Sequence, residues 1–129
     1  MALSQRSVPR PGYRLALFAT CLAAVVVMLG AFTRLSDAGL GCPDWPGCYG
    51  HLTWPTEAED VARADALYPH MPVDTDKTWP EMVHRYFASS LGLFIIALTV
   101  IAWRQREARN YPFRLPLFLL FLVVWQGMF

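Results

Sequence analysis

Two long stretches of this sequence contain no charged residue. Leu15–Phe32 runs for 18 residues and Phe87–Trp103 for 17. A helix that crosses a bilayer needs about 20 mostly apolar residues, with a range of about 17 to 25. Only 16% of the whole chain is charged, against roughly a quarter in soluble proteins. The sequence therefore predicts an all-α membrane protein with two complete transmembrane helices, at 15–32 and 81–103.

A third apolar stretch, Leu115–Phe129, closes the sequence. Its 15 residues fall short of a full span, and no charged flank follows them. We therefore expect a truncated third transmembrane helix at 115–129 and a chain that is the N-terminal fragment of a longer protein. The first stretch exceeds the roughly 7 to 15 apolar residues of a signal peptide, and no small-residue cleavage site follows it, so we expect that helix to be retained.

The charged residues predict how the chain crosses the membrane. Arginines dominate the tail at 1–14 and the connection at 104–114, whereas nine acidic residues face four basic ones at 33–86. Lys and Arg near the ends of transmembrane helices stay in the cytoplasm. We therefore predict a multi-pass membrane protein with a cytoplasmic N-terminus and an outer loop, 33–80, on the opposite side, which is the periplasm for a bacterial inner membrane and the intermembrane space for a mitochondrion. The arginines in question are Arg6, Arg10, Arg14, Arg104, Arg106, Arg109 and Arg114.

The outer loop carries two cysteines, Cys42 and Cys48, in the stretch "CPDWPGC". Disulfides persist in the periplasm and are rare in the cytosol, so the predicted topology permits one here. The short spacing leaves a disulfide sterically possible, but two free thiols or a metal site that includes His51 also fit the sequence. Cys21, in the middle of the first apolar stretch, is predicted to be a buried thiol that packs as a small hydrophobic residue.

Local signals in the outer loop predict two helix starts. A short helix at 57–67 would have Thr56 as its N-cap and acidic residues in its first turn. Pro80 suits the first turn of the second transmembrane helix, which would then begin near Trp79. Three tryptophans are predicted to lie at the membrane interface, where they could form a lid over a cavity. They are Trp45, Trp54 and Trp79.

The stretch "EMVHR" places two functional side chains at the outer end of the second helix. Glu81 and His84 are three residues apart, which sets them side by side on one helical face. Ala88 and Gly92 continue that face and predict a groove beneath the imidazole. Haem ligation, helix packing and proton transfer all remain possible roles for His84. Glu81 is either a solvated first-turn acid or a general acid or base, and Arg34 binds either a propionate or a lipid phosphate.

Two segments together resemble the N-terminal part of the haem A synthase family. They are "GAFTRLSDAGLGCPDWPGCYG", Gly30–Gly50, and "DKTWPEMVHRYFASSLGLFI", Asp76–Ile95. This resemblance implies an eight-helix membrane enzyme built from two four-helix halves, each of which supplies a pair of haem-ligating histidines. It also implies oxidation of the C8 methyl group of haem O to the formyl group of haem A, the cofactor of terminal oxidases.

The resemblance carries over to individual residues of this sequence. It implies that His84 ligates the iron of haem O, that Glu81 is catalytic, and that Cys42 and Cys48 form a disulfide. Arg34 and Arg85 lie in the matching motifs and are predicted to contact the haem.

The resemblance also indicates the partners and cofactors of the chain. We expect it to contact the lipid bilayer, to receive haem O from a haem O synthase and to be compatible with homo-oligomers, whereas no feature suggests nucleic acid as a partner. A haem b is expected in the C-terminal half, beyond these 129 residues. The second histidine of the pair is missing as well, so the isolated chain is predicted neither to bind haem through two histidines nor to make haem A. The alternatives are a membrane thiol–disulfide protein that reduces quinone and a non-catalytic haem-binding anchor for electron transfer.

Overall fold

The computed structural model describes residues 10–108 and 110–127. That part of the chain contains four helices: α1, Tyr13–Leu35; α2, Ala58–Leu67; α3, Thr75–Arg104; and α4, Arg114–Gly127. By length and composition, α1 and α3 could each cross a membrane, and α4 is a shorter apolar helix. The all-α prediction is confirmed. Three positions of the sequence predictions, Arg6, Arg109 and Phe129, lie outside the described residues.

Helix α3 begins earlier than the sequence predicts, because Asp74 caps it. One carboxylate oxygen of Asp74 accepts a hydrogen bond from the backbone N–H of Asp76 at 3.1 Å. The backbone carbonyl of Asp74 accepts hydrogen bonds from the N–H groups of Lys77 and Thr78 at 3.0 Å each. Asp is among the residues that best satisfy the free N–H groups of a first turn. The prediction that Pro80 lies in the first turn is therefore wrong, and this proline lies inside the helix.

Helix α2 begins one residue later than predicted. Its N-cap is Glu57, whose side chain makes no capping hydrogen bond, so the assignment of Thr56 to this role is wrong. Glu59 and Asp60 lie in the first turn, where acidic side chains interact favourably with the helix dipole. Glu59 also pairs with Arg63 at 2.9 Å on the exposed surface of the helix.

The described residues form two compact units, and the first comprises 10–21 and 91–127. Aromatic rings provide much of its packing: Phe18 meets Phe94 edge-on, with 5.1 Å between the ring centroids. Its hydrogen bonds between side chains and distant residues end on backbone carbonyls, as where the Tyr111 hydroxyl donates to the carbonyl of Pro11 at 2.8 Å. Cys21 belongs to this unit and is exposed, which corrects the prediction that its thiol is buried.

The second unit, 22–90, contains the remainder of α1, the connecting segment 36–74 and the N-terminal half of α3. The connecting segment has a small core of its own, joined by Met82 of α3. Cys42 and Cys48 are bonded in that core by a disulfide with an S–S distance of 2.07 Å. Its buried members are Cys42, Cys48, Tyr49, Ala64 and Met82, with Trp54, Tyr68 and Val73 packed around them. Trp45 does not join them and is 77% exposed.

Candidate functional site

A cavity of about 600 Å³ opens in the second unit between α1, the connecting segment and the first turns of α3. Its volume lies within the range of about 300 to 1,000 Å³ typical of small-molecule sites. Four of the six residues singled out from the sequence line it: Arg34, Glu81, His84 and Arg85. The structure therefore brings the predicted cofactor-binding and catalytic residues to one place.

The imidazole of His84 lies directly against the backbone of α1 at Gly30. A Cβ atom added to Gly30 would lie 2.9 Å from Nε2, closer than real Cβ contacts allow, so the ring uses space that any side chain would fill. Within the described residues, neither ring nitrogen has a hydrogen-bond partner. At Gly92, which was predicted to form a groove beneath the imidazole together with Ala88, the nearest atom to an added Cβ is a methyl group of Val123 at 4.0 Å. The sequence analysis missed Gly30, although it lies inside the motif that carries the resemblance.

Glu81 is buried and holds the connecting segment to α3. Its Oε2 accepts the backbone N–H of Gly41 at 2.6 Å and that of Cys42 at 3.0 Å, and its Oε1 pairs with the guanidinium of Arg85. Only 7% of the residue is exposed. These donors suit an ionised carboxylate, which accepts hydrogen bonds at both oxygens. The reading of Glu81 as a solvated first-turn acid is therefore wrong.

Arg85 completes this connection between helix and loop. Its Nη1 donates to the carbonyls of Asp44 at 2.7 Å and Gly47 at 2.9 Å, while Nη2 donates to Glu81. The planar guanidinium presents several donors in a fixed geometry, which suits such divided binding. We call Glu81 and Arg85 the clamp, since together they fix the "CPDWPGC" loop against α3. Arg85 was predicted to contact haem, but the hydrogen bonds that its side chain makes within the described residues all hold the loop to α3.

The tight turn at the end of this loop is stabilised by Asp44. Its two carboxylate oxygens accept the backbone N–H groups of Tyr49 at 2.5 Å and Gly50 at 2.8 Å. Both residues have positive φ angles, 53° for Tyr49 and 77° for Gly50, a conformation that the aspartate contacts help to hold. Burial raises the pKa of the Tyr49 phenol, and the carboxylates of Asp65 and Asp44 raise it further. The phenol therefore stays protonated and donates to the carbonyl of Met71 at 3.0 Å.

Two further charged residues of the cavity were not singled out from the sequence. Lys77 pairs with Asp37 at 3.1 Å, and both line the cavity with Arg34. Asp37 has a φ of 52° and ends α1. The N–H of Ala38 bonds to the carbonyl of Thr33 at 2.9 Å, and that of Asp37 to Arg34 at 3.2 Å. This is the Schellman arrangement, in which glycine usually holds the left-handed position.

The disulfide is buried beneath the loop surface. Cys48 is completely buried and Cys42 is 7% exposed, so neither sulfur is open to another protein's thiol. His51 contacts Cys48 through backbone hydrogen bonds of 2.9 and 3.0 Å. Among the described residues, no group of three His, Cys, Asp or Glu side chains could hold a metal ion. Because the two sulfurs are bonded to each other, the alternatives of two free thiols and of a metal site with His51 are wrong.

A family model and several curated proteins match the chain. A family model described as cytochrome oxidase assembly protein, COX15-CtaA, matches residues 13–129. The heme A synthase of Shewanella oneidensis is 46% identical over 103 residues, which are 80% of this chain and 30% of that protein. The heme A synthase of Exiguobacterium sibiricum is 30% identical in an alignment of 121 positions that covers 84% of this chain and 35% of that protein.

A third relative carries a different name. The protoheme IX farnesyltransferase 1 of Natronomonas pharaonis is 32% identical over 85 residues, which are 66% of this chain but only 14% of that protein. No solved structure matches the chain. The chain spans 30% and 35% of the two heme A synthases, while the family match includes every residue of the cavity. The chain therefore belongs to the cytochrome oxidase assembly protein family.

Proposed function

We propose that this chain forms the substrate-haem half-site of a membrane oxidoreductase that converts haem O to haem A for terminal oxidases. The relatives named heme A synthase support the reaction. The observation that carries the site is the position of His84: its imidazole lies in a cavity, against a residue without a side chain, with both nitrogens free of hydrogen bonds in the described part of the chain. A neutral imidazole nitrogen in that state is available as an axial ligand.

The residues of the cavity fit a haem in chemistry as well as in size. A haem is a flat apolar ring with a metal at its centre and carboxylates at one edge. His84 would ligate the iron, and Arg34, the basic residue in the last turn of α1, would provide a cation for a propionate. Haem iron supplies the oxidation chemistry when the substrate is bound, while these residues orient the ring.

Glu81 is the proposed proton-handling residue of this site. It lines the same cavity as His84, and carboxylates serve as general acids or bases when they lie near the reacting group. In the structure both of its oxygens hold the connecting segment. A proton accepted by Glu81 would therefore weaken the clamp, so we propose that proton transfer and movement of the "CPDWPGC" loop occur together.

The remaining functional predictions are part of the same proposal. The whole enzyme would have eight helices in two halves, with a haem b in the second half, and would lie in the bacterial inner membrane with its N-terminus in the cytoplasm. Haem O would come from a haem O synthase; a relative named as a farnesyltransferase is compatible with such a link. The thiol–disulfide alternative loses support because Cys42 and Cys48 are buried.

A pair of histidine variants tests this function in the protein as its gene encodes it. His84→Ala should remove the absorbance of the haem in this cavity, leave that of the haem b in the second half, and stop haem A formation in cells that lack another haem A synthase. His70→Ala is the matched control, because His70 is exposed and does not line the cavity. Glu81→Gln should keep the haem and lose conversion. Full haem A formation with His84→Ala would overturn the proposal. Bound haem without any conversion in the unaltered protein would also overturn it and would favour the alternative of a non-catalytic haem-binding anchor for electron transfer.

A further inference from the structure

We infer that Lys77 is a second carboxylate-binding residue of the haem cavity and that Asp37 occupies it until the haem arrives. This inference deepens the proposed function and rests on it. A haem carries two propionates; the sequence predicted Arg34 as a partner for one of them and Arg85 as a further residue in contact with the haem. In the structure, Arg34 remains available to bind one propionate, and Lys77 is placed to bind the other.

Arg85 is committed to other contacts. It donates to the carbonyls of Asp44 and Gly47 and to the carboxylate of Glu81, and 21% of its side chain is exposed. Its binding of a propionate would break contacts that fix the loop. A buried ion pair is costly to separate, because the remaining charge stays away from water. Arg85 is therefore a poor partner for a ligand that must enter and leave.

Lys77 has the opposite properties. It lines the cavity, and its side chain is 37% exposed, while that of its partner Asp37 is 96% exposed. Ion pairs at this degree of exposure contribute little to stability, so a ligand carboxylate can replace the aspartate at low cost. Lys77 also precedes His84 by seven residues in the same helix, which places both on one face, about 10 Å apart along the axis. That separation has the scale of the distance between the centre of a porphyrin and its propionates.

The conformation of Asp37 supports a role beyond ending the helix. It holds the left-handed position of the Schellman motif with a φ of 52°, where glycine would be free of strain. A residue kept in a sparsely populated conformation is a reason to ask what its side chain does. Here the side chain holds the ammonium of Lys77 at 3.1 Å. Asp37 thus acts as an internal substitute for a propionate.

The experiment compares two haems that differ only in their carboxylates. Protohaem and its dimethyl ester are titrated into the haem-depleted protein, as its gene encodes it, and binding in this cavity is taken as the absorbance change that His84→Ala removes. We expect Lys77→Met to weaken protohaem binding about tenfold, which is the loss of one moderate charge contact. Lys77→Arg should restore the affinity because it keeps the charge. Asp37→Asn should tighten binding about threefold, since it removes the competitor for Lys77.

The dimethyl ester separates a carboxylate contact from a structural effect. With the ester, Lys77→Met and the unaltered protein should bind equally. Equal protohaem affinities in those two proteins would overturn the inference, and so would a Lys77→Met loss that is as large with the ester. Failure of the proposed function gives a different result, namely no haem binding by the unaltered protein or no effect of His84→Ala. Arg63→Met, which removes an exposed charge outside the cavity, controls for net charge.

Discussion

The two compact units differ in the kind of contact that holds them together. In the first, aromatic rings meet and a few side chains reach backbone carbonyls, as Tyr111 does at Pro11. In the second, a buried carboxylate and a guanidinium bind the backbone of a loop that is 40 residues away in sequence. Apolar packing tolerates small shifts, whereas hydrogen bonds require defined distances and angles. The second unit is therefore the one in which a loop is held in a defined position against a helix.

Several polar contacts of the second unit involve neighbouring residues of one short loop. The backbone N–H of Cys42 donates a hydrogen bond to Glu81, and the sulfur of Cys42 forms the disulfide. The carbonyl of Asp44 accepts a hydrogen bond from Arg85. Each contact thus fixes a different part of the same short loop. A buried polar network of this kind contributes more to a single defined arrangement than to net stability. It specifies where the loop lies relative to the cavity.

The largest effect is expected from breaking the clamp. Arg85→Met leaves the buried carboxylate of Glu81 without its cation and frees two loop carbonyls, so the loop should open more easily by about 3 kcal/mol. Hydrogen–deuterium exchange of the amides of Gly41 and Cys42, which bind Glu81, measures this opening. The exchange of both should increase together.

A matched ion pair elsewhere in the second unit controls for the loss of an arginine. Arg63 and Glu59 are also four residues apart in a helix, but their side chains are 64% and 85% exposed. Arg63→Met should therefore change local opening by no more than about 0.5 kcal/mol. If the two variants have equal effects, burial does not distinguish the clamp from an ordinary surface pair.

The second prediction concerns the contact between Gly30 and His84. Gly30→Ala would place a methyl group 2.9 Å from Nε2, so the imidazole must rotate away. We expect haem affinity to fall about tenfold, or about 1.4 kcal/mol, with a shifted absorption spectrum. Gly127→Ala is the control, because Gly127 lies outside the cavity and a Cβ there meets no atom within 4 Å. An unchanged spectrum with Gly30→Ala would show that the position of the ring does not depend on this contact.

The sequence predicted the helices better than their ends. Long charge-free stretches require helices, since a bilayer leaves no other partner for backbone polar groups. The start of α3 depended instead on one side chain, Asp74, which competes with the proline signal at Pro80. Helix geometry likewise fixed Glu81 beside His84, because residues three apart share a face.

The partners of the site residues could not be predicted in this way. Glu81 binds the N–H groups of Gly41 and Cys42, which approach it only once the connecting segment has folded. Such contacts depend on the path of the whole loop and leave no periodic pattern in the sequence. Gly30 gave a signal that went unused, since a glycine inside an otherwise bulky helix often marks a close approach. Its neighbour could be identified only from the structure.

The smallest effects come from two tyrosines, one in each unit, that make the same kind of hydrogen bond. Tyr49 is buried and donates to Met71 at 3.0 Å, and Tyr111 donates to Pro11 at 2.8 Å in an exposed hydrogen bond. Tyr49→Phe should cost about 1 kcal/mol of unfolding free energy, because the part-buried carbonyl loses its donor. Tyr111→Phe should cost less than about 0.5 kcal/mol, since water replaces the hydroxyl. Thermal unfolding in detergent measures both, and an equal or larger loss with Tyr111→Phe would mean that the first unit also depends on directional contacts.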